Sequence, residues 1–83
     1  MLAELKTAKN RKVEIRPHQA SFFLAHAHGP VWLIVETQDS IAAYKGRKAV
    51  DVAEHGLDVP PDFTVANNGD GIGELFLELD ARS

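Results

Sequence analysis

The stretch GPVWLIVET, residues 29–37, constrains this chain more than any other. Gly29 followed by Pro30 ends whatever helix precedes it: the glycine accepts a left-handed cap, and the proline cannot continue the hydrogen-bond ladder. "VWLIVET" is a nearly continuous apolar run rich in β-branched and aromatic residues. Such a run predicts a strand covered on both faces in the middle of a sheet. Before the stop, Pro17 suits the first turn of a helix, where its missing N–H removes a donor with no intrahelical partner. Ala20, Phe23, Leu24 and Ala27 recur at i, i+3, i+4 and i+7, so the spacing predicts an amphipathic helix over 17–28.

Around this pair the remaining elements are shorter. In "LAELKT" the side chains alternate, which as a strand places Leu2, Glu4 and Lys6 on one face and Ala3, Leu5 and Thr7 on the other. Residues 8–12 read as a polar turn and 13–15 as a brief second strand. Residues 40–44 read as a short strand and 47–55 as a short helix capped by Gly56. The plan is α/β, with α+β the other possibility: a small mixed sheet with one main helix after the first strand. Beyond Leu57, "DVPPDF" is a rigid turn and "NNGDGIG" a loop; "ELFLEL" alternates like a strand but is too short to exclude a helical turn. The organisation expected is a single domain over 1–83, with a core over 1–56 and an acidic, turn-rich extension over 57–83.

At 83 residues such a domain is marginal, burying roughly 60 to 65% of its unfolded surface. With no cysteine, neither disulfides nor a thiolate zinc site can reinforce it. No apolar run approaches the roughly 20 residues of a membrane span, and the first residues lack a signal-peptide core, so a cytoplasmic protein is expected. The formal charge of −3 is unevenly spread. Lys6, Lys9, Arg11, Lys12 and Arg16 crowd the first sixteen residues against Glu4 and Glu14, while the acids from Asp51 onward face only Arg82. A polyanion would therefore meet the N-terminal part; a solvated basic loop explains the same composition.

The chemistry on offer is Glu4, Lys6 and Gln19. A carboxylate on a rigid strand can bind a hard divalent cation such as Mg²⁺. A lysine beside it can orient an attacking water and offset charge developing on a phosphate. Gln19 opens the next helix, where an amide and free backbone N–H groups can hold a water or phosphate oxygen. Taken alone, E-x-K also fits a surface ion pair. His26 and His28, two apart on a helix, point to different faces and read as helix C-terminal cations rather than a shared metal site, and His55 fits the same role. "NNGDGIG" lacks the lysine of a phosphate loop and the acid spacing of a calcium loop. Trp32 and Tyr44 read as core and edge aromatics.

The run "AELKTAKNRKVEIRPHQASFFLAHAHGPVWLIVET" resembles the second half of the core in PD-(D/E)xK nucleases, especially small phage-type Holliday-junction-resolvase-like and VRR-NUC-like members. In those families a strand bearing E-x-K leads through a basic loop into a helix opening with a Pro-x-Gln-like motif, then into a hydrophobic strand. The order matches over roughly residues 2 to 55. The resemblance implies a restriction-endonuclease-like core and a Mg²⁺- or Mn²⁺-dependent DNA endonuclease, phage-encoded and working in the host cytoplasm. It implies a catalytic set of Glu4 as metal ligand, Lys6 as catalytic lysine and Gln19 as a helix-borne support, with Lys9, Arg11, Lys12 and Arg16 as grips on the DNA backbone. Those nucleases take a second metal ligand, the aspartate of "PD", from the strand before E-x-K. This sequence begins three residues before Glu4, so the resemblance implies an N-terminally truncated core completed by a homo-oligomer or a second polypeptide. The other expectation is an inactive nuclease-like module that binds nucleic acid or a partner protein.

Overall fold

The computed structural model describes residues 2–82. Its elements follow the order β1 (Leu2–Thr7), α1 (Pro17–Ala25), β2 (Val31–Glu36), β3 (Ser40–Lys45), α2 (Ala49–His55), β4 (Phe63–Ala66) and α3 (Gly71–Arg82), with short 3-10 turns on either side of α2. The four strands form one mixed sheet in sequence order. β1 and β2 run parallel, joined by α1 as a crossover, and the β2–β3 and β3–β4 pairs are antiparallel. The protein is thus a small mixed α/β domain.

β2 occupies the inner position its composition demands, and its alternate residues feed two cores. Val31, Leu33 and Val35 pack with Phe23 of α1, Ala49 and Val52 of α2, and Tyr44. Trp32 and Ile34 turn to the opposite face, where they meet Ile41, Ala43 and the α3 residues Leu75 and Leu79. Each large side chain buried in this way contributes about 1.5–3 kcal/mol.

Three local expectations are corrected by packing. Residues 13–15 form no strand; two antiparallel hydrogen bonds close the preceding turn between Lys9 and Lys12, and Val13 leaves it to bury its side chain beneath the helices. The α-helix expected over 17–28 stops at Ala25, because His26 leaves helical geometry and residues 26–29 tighten into short turns ahead of Pro30. Leu24 of the expected apolar stripe is exposed. "ELFLEL" is helical, and "NNGDGIG" is a loop only as far as Asp70. Residues 57–82 thereby supply β4 and the helix that covers β2, β3 and β4 on one face of the sheet.

Gly56, by contrast, caps α2 as its sequence context predicts. It holds φ +59°, and a Cβ there would fall 1.9 Å from the Arg11 carbonyl oxygen. The same carbonyl accepts the Leu57 N–H at 2.9 Å, so the end of α2 is clamped to the basic turn after β1.

Candidate functional site

β1 is an edge strand, and its register decides what it displays. Glu4 stands beside Leu33 and Lys6 beside Val35, so both share the α1 face of the sheet, as their spacing of two requires. α1 runs back over this face and brings Gln19 down onto Glu4. The Gln19 Nε2 donates to Glu4 Oε1 at 2.9 Å, and Lys6 Nζ lies 3.9 Å from the same oxygen.

The amide is oriented from its other end. Arg16, at the helix N-cap, has no side-chain acceptor to offer the first turn. The Gln19 side chain reaches back instead, and its Oε1 accepts the Arg16 N–H at 3.1 Å. With the oxygen committed to that donor, the NH₂ must face Glu4. This is one half of a capping box put to use as a brace for a carboxylate. The Lys6 side chain is about one-fifth exposed and the Glu4 side chain nearly half, so the lysine is the better covered of the pair. The second oxygen of Glu4 has no hydrogen-bond partner among the described residues.

A cavity of about 490 Å³ opens beside this pair, lined by Glu4 and Gln19 and by the apolar Leu2, Phe22 and Phe23. His18 also borders it. Glu4 is the one acid in that lining, and no group of three or more His, Asp or Glu side chains converges among the described residues. Mg²⁺ is held through one or two carboxylates together with substrate phosphates and keeps near-octahedral geometry. A single carboxylate already bonded to an amide, with an ammonium 3.9 Å away, does not make that site alone.

The basic residues divide. Lys9, Asn10, Arg11 and Lys12 form a tight two-residue turn with Asn10 and Arg11 both at positive φ, 51° and 65°. That left-handed pair is the geometry favoured for joining twisted strands. Arg11 is drawn onto Asp58, with its Nη2 donating to Oδ1 at 3.1 Å, so it is already partnered by an acid. Lys9, Lys12 and Arg16 make no ion pair among the described residues. Arg11 and Lys12 border a second, larger cleft with Glu54 and His55, separate from the Glu4 cavity. Glu4, Lys6 and Gln19 are therefore gathered in one place, Arg16 is joined to them through its backbone, and the turn lies beyond the end of the strand.

His26 is the C-cap of α1 and lies against Phe22, with ring centres 4.5 Å apart and planes inclined at 44°; His28 is exposed, and His55 sits 3.6 Å from Glu54. Trp32 and Tyr44 are both core residues. Tyr44 donates to the Val59 carbonyl at 2.9 Å, and burial raises its pKa despite the opposing charge of Arg11. The place of His18 and Phe22 at the cavity was not read from the sequence, although residues 18 and 22, one turn apart on α1, carry the spacing that shows it.

The outer edge of β1 is the remaining element of the site. The Leu2 N–H donates to the Pro30 carbonyl and the Ala8 N–H to that of Glu36, both at 3.0 Å, so the even-numbered residues bond inward to β2. Ala3, Leu5 and Thr7 consequently aim their N–H and C=O groups away from the sheet. No strand pairs with that edge among the described residues. No family model, curated protein or solved structure matches this chain.

Proposed function

We infer that the chain carries the E-x-K half of a DNA-cleaving site of the PD-(D/E)xK kind, with β1, α1 and β2 as a restriction-endonuclease-like core. The observation that supports this most is the 2.9 Å bond from Gln19 to Glu4, with Lys6 on the same face. It joins the strand acid and the helix amide that the resemblance pairs. In this reading Gln19 fixes the direction of the carboxylate, and the Lys6 ammonium positions water and offsets charge on the phosphate. Lys9, Lys12 and Arg16 hold the DNA backbone without reading sequence. A further acid enters with a chain pairing along the open edge of β1, and Mg²⁺ or Mn²⁺ belongs to that completed site.

The test is hydrolysis of duplex and branched DNA in Mg²⁺ or Mn²⁺ by the purified chain. Cleavage that disappears in Glu4→Gln and in Lys6→Ala supports the assignment; cleavage indifferent to both removes it. A second reading, a nuclease-like module that binds DNA or a partner without cutting, is favoured by the engagement of Glu4 with Gln19 and Lys6. Its signature is DNA affinity that falls steeply with salt and no cleavage in any metal.

A further inference from the structure

We propose that the occupant of the open edge of β1 is a second copy of this chain, paired antiparallel with Leu5 opposite the partner's Leu5. Two identical edge strands related by a two-fold axis normal to the sheet pair antiparallel. Both α1 helices then lie on one side of a continuous sheet. The outward-pointing groups belong to residues 3, 5 and 7, so hydrogen bonds form only where odd residues face odd residues. Three registers satisfy this while keeping most of the strand paired, with 4, 5 or 6 at the two-fold axis.

Charge decides among them. Centring on residue 4 sets Glu4 against the partner's Glu4, and centring on residue 6 sets Lys6 against the partner's Lys6; directly opposed like charges destabilise a strand pair. Centring on Leu5 sets Glu4 opposite the partner's Lys6 and Lys6 opposite the partner's Glu4. It also pairs Ala3 with the partner's Thr7, so the outward groups of residues 3, 5 and 7 are all bonded. "LAELKT" is self-complementary in charge about Leu5.

The apolar surface beside the edge fits the same arrangement. Leu5 is 63% exposed on the α3 face, where the dimer would set it against its own copy. On α3, Leu75 and Leu79 face the sheet while Glu74, Leu77 and Glu78 border β4. Helical geometry then turns the exposed Ile72 and Phe76 toward the β1 side. On the other face, exposed Leu2 and Phe22 flank the Glu4 cavity at the same edge. For the proposed function, on which this consequence rests, the pairing makes Glu4 and the partner's Glu4 diagonal neighbours, about 7–8 Å apart. The second carboxylate would then come from the protein itself.

The test uses a cysteine scan, which the cysteine-free sequence makes clean. Leu5→Cys places two cysteines in a hydrogen-bonded pair with Cα atoms about 5.5 Å apart, within disulfide range. Glu4→Cys and Lys6→Cys place theirs on diagonals beyond the roughly 7 Å limit. Mild oxidation is expected to link Leu5→Cys into a dimer and to leave the other two unlinked. In sedimentation, Glu4→Lys is expected to weaken dimerisation about tenfold or more, and Glu4→Lys with Lys6→Glu to restore it. A chain monomeric at several hundred micromolar, or crosslinks strongest at position 4 or 6, overturns the proposal. A Leu5-centred dimer that never cleaves DNA upholds it while removing the nuclease reading, and cleavage by a strict monomer does the reverse.

Discussion

Leu77 and Leu79 lie two residues apart in "ELFLEL" and separate two accounts of the C-terminal segment. A strand would point both toward one face. The helix α3 turns them apart: Leu79 is 0% exposed against Trp32, Ile34 and Ile41, and Leu77 is 74% exposed. Leu79→Ala removes a fully buried isobutyl group from a core held on two sides, and such truncations cost about 2–5 kcal/mol. A domain of this length has about 4–12 kcal/mol in total. With a urea slope near 1 kcal/mol/M, the midpoint should fall by about 2–3 M or more, and the variant approaches the limit of folding. Leu77→Ala should stay within about 0.5 kcal/mol of wild type, since it alters solvated surface and replaces leucine with the best helix former. The assay is urea unfolding followed by the fluorescence of Trp32, the one tryptophan in the chain. Equal costs at the two positions would refute the helix and its place over the sheet.

Further predictions concern the connections around the site. Gly56→Ala should be among the most damaging small substitutions, because it meets both a positive φ and a backbone oxygen 1.9 Å away; thermal unfolding of that variant against wild type reads it. At Asp62, burial opposes ionisation, but the Lys45 N–H at 2.7 Å and the Lys48 ammonium outweigh it and hold the carboxyl below its ordinary range. Its contribution is therefore present above the unfolded value of about 3.9 and lost as pH falls through the lower folded value. Asp62→Ala should cost about 1.5–3 kcal/mol near neutrality and flatten the acid limb of a stability profile. Tyr44, the one tyrosine, should show its phenolate absorbance with a midpoint above about 10, and its raised pKa withdraws stability as pH climbs past that unfolded value. A midpoint at or below 10 would contradict its burial.

Where the sequence carried several agreeing signals, the fold was legible. β2 announced its inner position through an unbroken apolar run, the start of α1 through Pro17, and the end of α2 through Gly56. Glu4 and Lys6 shared a face by strand geometry alone, and the helix start put Gln19 near them. What escaped depended on contacts distant in sequence. α3 was obscured because "ELFLEL" satisfies both a period of two and part of a helical turn, and only the need to cover Trp32 and Ile34 decides between them. Residues 13–15 have strand composition, yet the tight turn before them and the apolar core beneath the helices draw Val13 inward instead. Arg11 reads in the sequence as one of several equivalent cations, and its exposed ion pair with Asp58, far along the chain, leaves no local signal. The brace on Glu4 required knowing that an arginine N-cap leaves Gln19 to bond the backbone.

The most direct measurement of the functional account is the rate of DNA cleavage per chain in Mg²⁺ as protein concentration rises. A site completed across the β1 edge predicts a per-chain rate that climbs with concentration and saturates as dimer forms, with Glu4→Gln and Lys6→Ala inactive throughout. Absence of cleavage at concentrations where the chain is fully dimeric, or cleavage by either variant at the wild-type rate, would contradict it.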